Sequence, residues 1–278
     1  MDYRKKFRVE PGERVKLADV DPGQTGKHLT EDEAGSHMAA DGKHLATLQG
    51  RLWAEHERSV LIVLQAMDAG GKDGTVKHVF ASIDPAGVSV HSFKVPTPVE
   101  HAHDFLWREH RVTPGAGEIA IFNRSYYEAV LVERVHDLVP KKVWSKRYER
   151  INEFEKLLVQ SGTVILKFFL HISADEQLRR FGARLDDPEK QWKISEADYA
   201  ERERWDDYQD AYAELLERCS TEHAPWYIIP ANHKWFRTLA VARILVDTLE
   251  EMDPQYPKPS VDLDAIRHRY HAAEAASD

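Results

Sequence analysis

The chain is poor in cysteine and has no long apolar runs. Cys219 is the one cysteine among 278 residues, which excludes an internal disulfide framework and fits a reducing compartment. No stretch approaches the roughly 18 consecutive apolar residues of a membrane-spanning helix. Residues 1–17 are basic but lack the apolar segment of a secretory signal. These absences predict a cytoplasmic protein that does not span a membrane.

Lysine and arginine are outnumbered by aspartate and glutamate, so the formal net charge at pH 7 is -9. A negative overall field repels a polyanion, so we expect no nucleic-acid partner. A smaller polyanion is still allowed, because screening limits the reach of distant charges to about 8–10 Å at physiological salt. Local clusters of lysine and arginine therefore decide whether an anionic ligand binds.

Five apolar segments alternate with amphipathic ones: "SVLIVLQA", "GVSVHSF", "GEIAIFN", "TVILKFFLHI" and "APWYIIPA". This alternation predicts an α/β fold, a three-layer sandwich with a mainly parallel five-stranded sheet. We expect one domain over residues 1–278, with an N-terminal extension (1–45) and a first long helix from about His44 to Arg58. A lid is expected at about 178–200 and an irregular C-terminal tail at 254–278. Ligands of such sheets bind at the carboxyl ends of the strands.

The segment "QAMDAGGKDGT" follows the first strand and opens a helix, which is the setting of a phosphate-binding loop. It departs twice from G-x-x-x-x-G-K-[ST], with Ala66 at the first glycine and Asp73 at the hydroxyl position. The helix N-terminus offers free N–H donors, and Lys72 adds a mobile positive charge. The alternative is a glycine-rich turn of any α/β protein, but strand, turn, lysine and helix together favour phosphate binding. Besides Lys72, the residues expected at the phosphates are Ala69, Gly70, Gly71, Asp73, Gly74 and Thr75.

Asp68 is unusual in such a loop. A carboxylate beside phosphates is repelled unless it holds a cation or accepts a proton, so it suggests Mg²⁺ coordination or proton transfer. Thr75 either supplies the displaced hydroxyl or only caps the helix.

A second motif, "IFNRSYYE", leaves the end of another strand. Asn123 stands where phosphate-loop proteins usually place a metal-holding acid, Arg124 can fork onto a phosphate, and Glu128 can supply the missing carboxylate. We therefore expect Asp68 and Glu128 to hold Mg²⁺, for which Mn²⁺ can substitute. Taken alone, the motif favours a capped helix start with a surface Arg–Glu pair, whereas together with the glycine-rich loop it favours a functional site.

A third motif, "RRFGARLDDPEKQWK", concentrates positive charge beside a polar insertion. Such lids bring cations over transferring phosphates and exclude water, and Arg184 and Lys193 are the residues we expect to do so. A solvated charged helix is the alternative.

Taken in order with "APWYIIPANHKWFR", the three motifs resemble those of the family-2 polyphosphate kinases, over about Tyr3 to Pro257. The resemblance implies a phosphate-loop kinase fold related to thymidylate kinase, with a lid. It also implies Mg²⁺-dependent phosphoryl transfer between inorganic polyphosphate and nucleotides, and assembly as a homo-oligomer, a dimer or tetramer.

Carried onto this chain, the family pattern makes Lys72 the loop lysine, Asp68 a metal-binding or catalytic acid, and Arg124 and Arg184 phosphate clamps. The Glu128 form resembles the branch called class III, which implies that both AMP and ADP are phosphorylated.

The chain departs from the family at two places. Tyr126 stands where members usually have histidine, and Ala129 where they usually have aspartate. The resemblance thus predicts a reversible polyphosphate-dependent kinase that converts AMP and ADP to ADP and ATP, with guanine nucleotides as a further acceptor class. The alternatives are an ATP-dependent nucleotide kinase of thymidylate-kinase type and a non-catalytic protein that binds polyphosphate or nucleotides.

Overall fold

The fold is built on a five-stranded sheet in which every pair of neighbouring strands is parallel. The computed structural model describes residues 2–26 and 29–276. The strands are β1 (Ser59–Gln65), β2 (Val88–Ser92), β3 (Ile119–Asn123), β4 (Thr163–His171) and β5 (Trp226–Pro230). Their order across the sheet is β2-β3-β1-β4-β5. The parallel five-stranded sheet predicted from the alternation is confirmed.

Helices connect the strands and cover both faces of the sheet. They are α1 (Tyr3–Phe7), α2 (Glu31–Glu55), α3 (Lys72–Val79), α4 (Pro98–His101), α5 (Trp107–His110), α6 (Val132–Val135), α7 (Lys141–Trp144), α8 (Arg147–Gln160), α9 (Ala174–Leu185), α10 (Glu196–Glu203), α11 (Trp205–Cys219), α12 (Lys234–Met252) and α13 (Leu263–Ala275). None of the helices in the described ranges has the length and apolar character needed to cross a membrane.

The core lies in two layers, one on each side of the sheet. All seven residues of β1 are buried, as expected for a central parallel strand covered on both faces. On one side α12 packs against α2 and α3, and on the other α8 packs against α11. In β4, Lys167 reaches Glu155 of α8, and the ring of Phe169 stacks on that of Tyr212 in α11 with 4.3 Å between centroids.

The predicted start of the first long helix, at about His44, is wrong, because regular structure begins inside the expected N-terminal extension (1–45). Helix α1 buries Tyr3 and Phe7, whose rings contact that of Phe236 in α12. Helix α2 begins at Glu31, well before His44, and a capping box at its start joins Thr30 and the following turn. The first turns of α2 are mostly exposed, so apolar periodicity becomes visible only further along the helix.

The predicted irregular tail also contains a helix, α13. Asp262 begins it by accepting the backbone N–H groups of Asp264 and Ala265, each at 3.0 Å. This is a good N-cap followed by helix-favouring residues. All described residues of α13 are exposed, so the helix lacks the apolar burial by which the other helices reveal themselves.

Candidate active site

A cleft of about 1200 Å³ opens at the carboxyl edge of the sheet. It lies where the loops after β1 and β3 meet the segment after α9, as expected for ligand sites of parallel sheets. Lysine and arginine line it at ten positions and aspartate and glutamate at three, although the chain as a whole is negative. The cations are Lys72, Lys94, Arg124, Arg179, Arg180, Arg184, Lys190, Lys193, Lys234 and Arg237.

The glycine-rich loop (residues 66–75) forms the floor of this cleft. Its backbone is left-handed at Ala69 (φ 59°) and at Gly71 (φ 103°), immediately before α3 begins. This conformation is uncommon for a residue with a side chain and curves the backbone so that N–H groups converge, which favours an anion. The Nζ atom of Lys72 donates to the Ala66 carbonyl at 2.8 Å. Gly70 packs so closely on the start of the loop that a Cβ there would lie 2.5 Å from that of Ala66.

Arg124 lies between two carboxylates. Its Nη2 is 2.9 Å from Oδ1 of Asp68, and its Nη1 is 3.5 Å from Oε2 of Glu128. These charges, Glu128 first, hold the pKa of the Arg124 guanidinium above its usual value. The backbone of Arg124 is also left-handed (φ 65°), a strained conformation that is often found at functional sites. The structure thus brings together three residues that the sequence separates by up to sixty positions.

Asn123 and Lys193, from the segment after α9, contact the glycine-rich loop through Asp73. Asn123 donates its Nδ2 to Oδ1 of Asp73 at 2.7 Å, and Lys193 places its Nζ 3.9 Å from the other oxygen. Arg184 donates to the backbone carbonyl of Lys193 at 2.9 Å and lies 3.7 Å from Asp198. The segment after α9 therefore crosses the cleft opposite the loop.

Of Thr75, Asp68 and Glu128, only Asp68 lines the cleft. The hydroxyl of Thr75 is buried and donates to the Gly71 carbonyl at 3.1 Å, inside the first turn of α3. Asp68 lines the cleft, whereas Glu128 approaches the same arginine from its other nitrogen. No group of three or more metal-ligating side chains occurs within residues 2–26 and 29–276. One or two carboxylates suit Mg²⁺, which usually keeps waters and substrate phosphates as its other ligands.

Sequence reasoning missed a buried network behind Arg124. The hydroxyls of Tyr126 and Tyr127 donate to Oε1 of Glu155 at 2.9 and 2.7 Å. Lys167 donates to Oε2 of Glu155 and to the Cys219 carbonyl, both at 2.6 Å. These side chains hold the turn that carries Arg124 and Glu128, so Tyr126 belongs to the core and not to the cleft.

Two further arginines were also missed. Arg180, from α9, donates to the Ala69 carbonyl at 2.8 Å, and Arg237, from α12, lies against Gly71. Arg180 lies within the motif "RRFGARLDDPEKQWK", but the density of charge in that motif does not single it out. Nothing in the local pattern "HKWFR" points to the glycine-rich loop.

The fold and the cleft together define a P-loop kinase-type protein. The central strand of a parallel sheet leads into a glycine-rich loop with a lysine, the loop leads into a helix, and a cationic segment lies opposite the loop. The family model described as polyphosphate kinase 2 matches residues 28–257. The chain belongs to the polyphosphate kinase 2 family.

Similar proteins agree with this assignment. The AMP/ADP-polyphosphate phosphotransferase of Meiothermus ruber is 52% identical over 92% of this chain and 96% of its own. The ADP-polyphosphate phosphotransferase of Rhodopseudomonas palustris is 44% identical over 91% and 92%. The crystal structure of a polyphosphate kinase 2 from Arthrobacter aurescens superimposes with a TM-score of 0.94 at 43% identity, covering 98% of this chain and 97% of that one.

Proposed function

We propose that this protein transfers a phosphoryl group from inorganic polyphosphate to ADP and AMP, forming ATP and ADP. The proposal depends on one observation: Arg124 forms an ion pair with Asp68 beside Lys72. This pair lies at the floor of a cleft whose charged lining residues are mostly lysine and arginine. The names of relatives that match nearly the whole chain support polyphosphate as the donor. An ATP-dependent kinase would not require so extended a cationic lining, because ATP carries only three phosphates.

The reaction requires positioning and charge neutralisation more than covalent chemistry from the protein. A terminal phosphate of the chain is attacked in line by an oxygen of the acceptor phosphate. A new P–O bond forms, the P–O bond to the rest of the chain breaks, and the shortened chain leaves with the electron pair. Lys72, Arg124 and Arg184 stabilise the charge on the transferring group. The acceptor oxygen is already largely ionised near pH 7, so no strong general base is needed.

Magnesium fits this arrangement through Asp68, with Glu128 as the second carboxylate. When bound, Mg²⁺ would neutralise charge on the phosphates. Asp68 is held toward the cleft by Arg124 at 2.9 Å, so the same contact orients the carboxylate and keeps the guanidinium close to the loop. Closure of the lid by Arg184 and Lys193, a cytoplasmic location, a homo-oligomeric state and use of guanine nucleotides remain predictions.

The identity of the phosphoryl donor distinguishes the proposed function from its alternatives. We expect purified protein given ADP, long-chain polyphosphate and Mg²⁺, with no ATP present, to form ATP, and protein given AMP to form ADP. Supplying AMP, ADP, GMP and GDP in turn and identifying every product by chromatography measures the acceptor range. Phosphorylation of a nucleotide by ATP but not by polyphosphate would favour the thymidylate-kinase type. Polyphosphate binding without any product would favour a non-catalytic protein.

The activity should also fall at alkaline pH because of Lys72. Burial, reinforced by Arg124, lowers the pKa of this lysine from 10.5 to about 8. In the free enzyme it loses its charge as the pH rises through about 8, so kcat/KM for polyphosphate should fall by about tenfold per pH unit above that value. Between pH 8 and 10.5 the unfolded chain binds more protons at this group than the folded one, so its contribution to stability rises with pH.

A pH profile of kcat/KM checks this expectation. The variant Lys72→Arg is the matched control, because arginine stays charged over the whole range and should remove the alkaline fall, whatever its absolute rate. A decline that begins only near pH 10.5 would contradict a lowered pKa.

A further inference from the structure

Arg237 lies in the first turn of α12, and its guanidinium packs on the backbone of the glycine-rich loop. Its side chain is buried, with 2% of the residue exposed. A Cβ on Gly71 would lie 1.9 Å from its Nη1, and a Cβ on Gly74 would lie 3.1 Å from its Nη2. The first distance is a collision and the second is tighter than ordinary contact. The two glycines therefore leave the space that this guanidinium fills.

The charge of Arg237 has no counter-ion among the described residues. Its Nε has no hydrogen-bond partner there, and its one hydrogen bond is a long one, 3.4 Å from Nη2 to Oγ1 of Thr238. Burial and the nearby Arg180 lower the pKa of Arg237 to about 10. The guanidinium also lies at the N-terminal end of α3, where the helix dipole is positive. An unpaired buried charge in such a place is strongly unfavourable unless an anion joins it.

Other cations surround Arg237 on the same side of the loop. Lys234 has its pKa lowered by burial and then by Arg180, Arg179 and Arg237, which places four positive charges within electrostatic reach of one another. Glu176, a carboxylate that acts on Lys234, already forms ion pairs with Arg179 and Arg180. This side of the cleft thus has excess positive charge, while Asp68 and Asn123 lie toward β3.

In-line transfer requires the donor chain and the acceptor to approach the reacting phosphorus from opposite sides. The side toward α9 and α12 carries repeated positive charges with little to balance them. Repeated charge suits a condensed phosphate chain, in which every phosphate is anionic. A nucleotide presents at most a few phosphates and needs polar groups for its ribose and base as well.

We propose that Arg237, packed on Gly71 and Gly74 and flanked by Arg180 and Lys234, binds phosphates of the polyphosphate chain behind the one that is transferred. This inference rests on the proposed function and deepens it, because it assigns one side of the cleft to the donor chain. It gives the two glycines a second purpose: they admit a cation from a distant helix to the loop.

The first test replaces Arg237 by methionine, which keeps much of the side-chain volume and removes the charge. Loss of a charge-assisted contact should raise KM for long-chain polyphosphate by about tenfold to a hundredfold. KM for ADP should stay within about twofold of the wild-type value. Arg150→Met is the matched control, because Arg150 is exposed on α8, outside the cleft, and pairs with Glu153. An unchanged KM for polyphosphate, or a rise in KM for ADP instead, would overturn the assignment.

The second test uses Gly74→Ala, which leaves the arginine in the chain. The backbone of Gly74 is not left-handed and alanine favours helices, so α3 itself tolerates the change. The added Cβ would lie 3.1 Å from Nη2 of Arg237, so the guanidinium must shift by a few tenths of an ångström, and KM for polyphosphate should rise several-fold. In the Arg237→Met background the same alanine should change nothing further, because the two residues act on one contact. Additive effects of the two substitutions would refute the shared contact. If Arg237→Met folds too poorly to be assayed, Gly74→Ala decides alone, and an unchanged KM for polyphosphate in that variant would refute the contact.

Calorimetric titration of long-chain polyphosphate in the absence of nucleotide separates this inference from the proposed function. If the wild type forms no ATP from ADP and polyphosphate, but Arg237→Met binds polyphosphate at least tenfold more weakly than the wild type, the proposed function fails and the binding site stands. If the wild type forms ATP and Arg237→Met retains wild-type affinity and KM, the function stands and the site is refuted.

Discussion

Replacing Lys72 by alanine is expected to reduce polyphosphate-dependent ATP formation by about a thousandfold, the usual effect of removing one preorganised charge from a transition state. Lys72 is the first residue of α3, and its Nζ reaches the carbonyl at the start of the loop, 2.8 Å away. When phosphate occupies the cleft, the flexible lysine can exchange this carbonyl for a phosphate oxygen. No other cation at the cleft comes from the loop itself, as far as residues 2–26 and 29–276 show.

The substitution should not unfold the protein. The Lys72 side chain donates a hydrogen bond to the Ala66 carbonyl, and its lowered pKa means that its charge destabilises the folded state near pH 7. Circular dichroism should therefore match the wild type, and the melting temperature should not fall. Lys142→Ala serves as the control, because Lys142 is an exposed lysine outside the cleft. Near wild-type ATP synthesis by the Lys72→Ala protein would remove Lys72 from the active site.

Replacing Lys167 by methionine is expected to lower the free energy of unfolding by about 3–5 kcal/mol, because it leaves a buried carboxylate without its cation. Lys167 and Glu155 have fully buried side chains. Urea unfolding measures the change. Arg150→Met, which breaks an exposed ion pair of similar length, should change the free energy of unfolding by at most about 1 kcal/mol.

A second variant tests whether the loss comes from the unpaired charge or only from the changed volume. Adding Glu155→Gln to Lys167→Met removes the orphaned charge while keeping an oxygen for the two tyrosine hydroxyls. The double variant should therefore be more stable than Lys167→Met alone. If the double variant is instead less stable than the wild type by the sum of the effects of Lys167→Met and Glu155→Gln, Lys167 and Glu155 do not act as a unit.

The buried network around Glu155 affects both the stability of the fold and the position of the candidate active site. It anchors the turn between Arg124 and Glu128 from behind, through Tyr126 and Tyr127. A histidine at position 126 would have no phenolic hydroxyl, so it would not make the 2.9 Å contact that the Tyr126 hydroxyl makes with Glu155. Tyr126 therefore helps to anchor the turn through its hydrogen bond to Glu155, a role that periodicity alone cannot reveal.

Much of the fold followed from local pattern. Continuous apolar runs mark strands covered on both faces, and β1 is buried along its whole length. Helix boundaries were less accurate where burial was absent: α13 is exposed throughout, and the first turns of α2 are mostly polar. In both cases a capping residue, Asp262 or Thr30, was the available signal, since caps act locally and do not depend on a core.

The sequence by itself determined the order of strands and helices, the glycine-rich loop with its lysine, and the cationic segment that faces it. These features depend on residues close together in the chain, so spacing and residue type are enough to reveal them. Tertiary structure alone decided that Arg237 lies on Gly71 and Gly74, and that Lys167 neutralises Glu155 behind Arg124. Such contacts join distant segments, and only the packing of helices on a shared sheet brings those side chains within a few ångströms of each other.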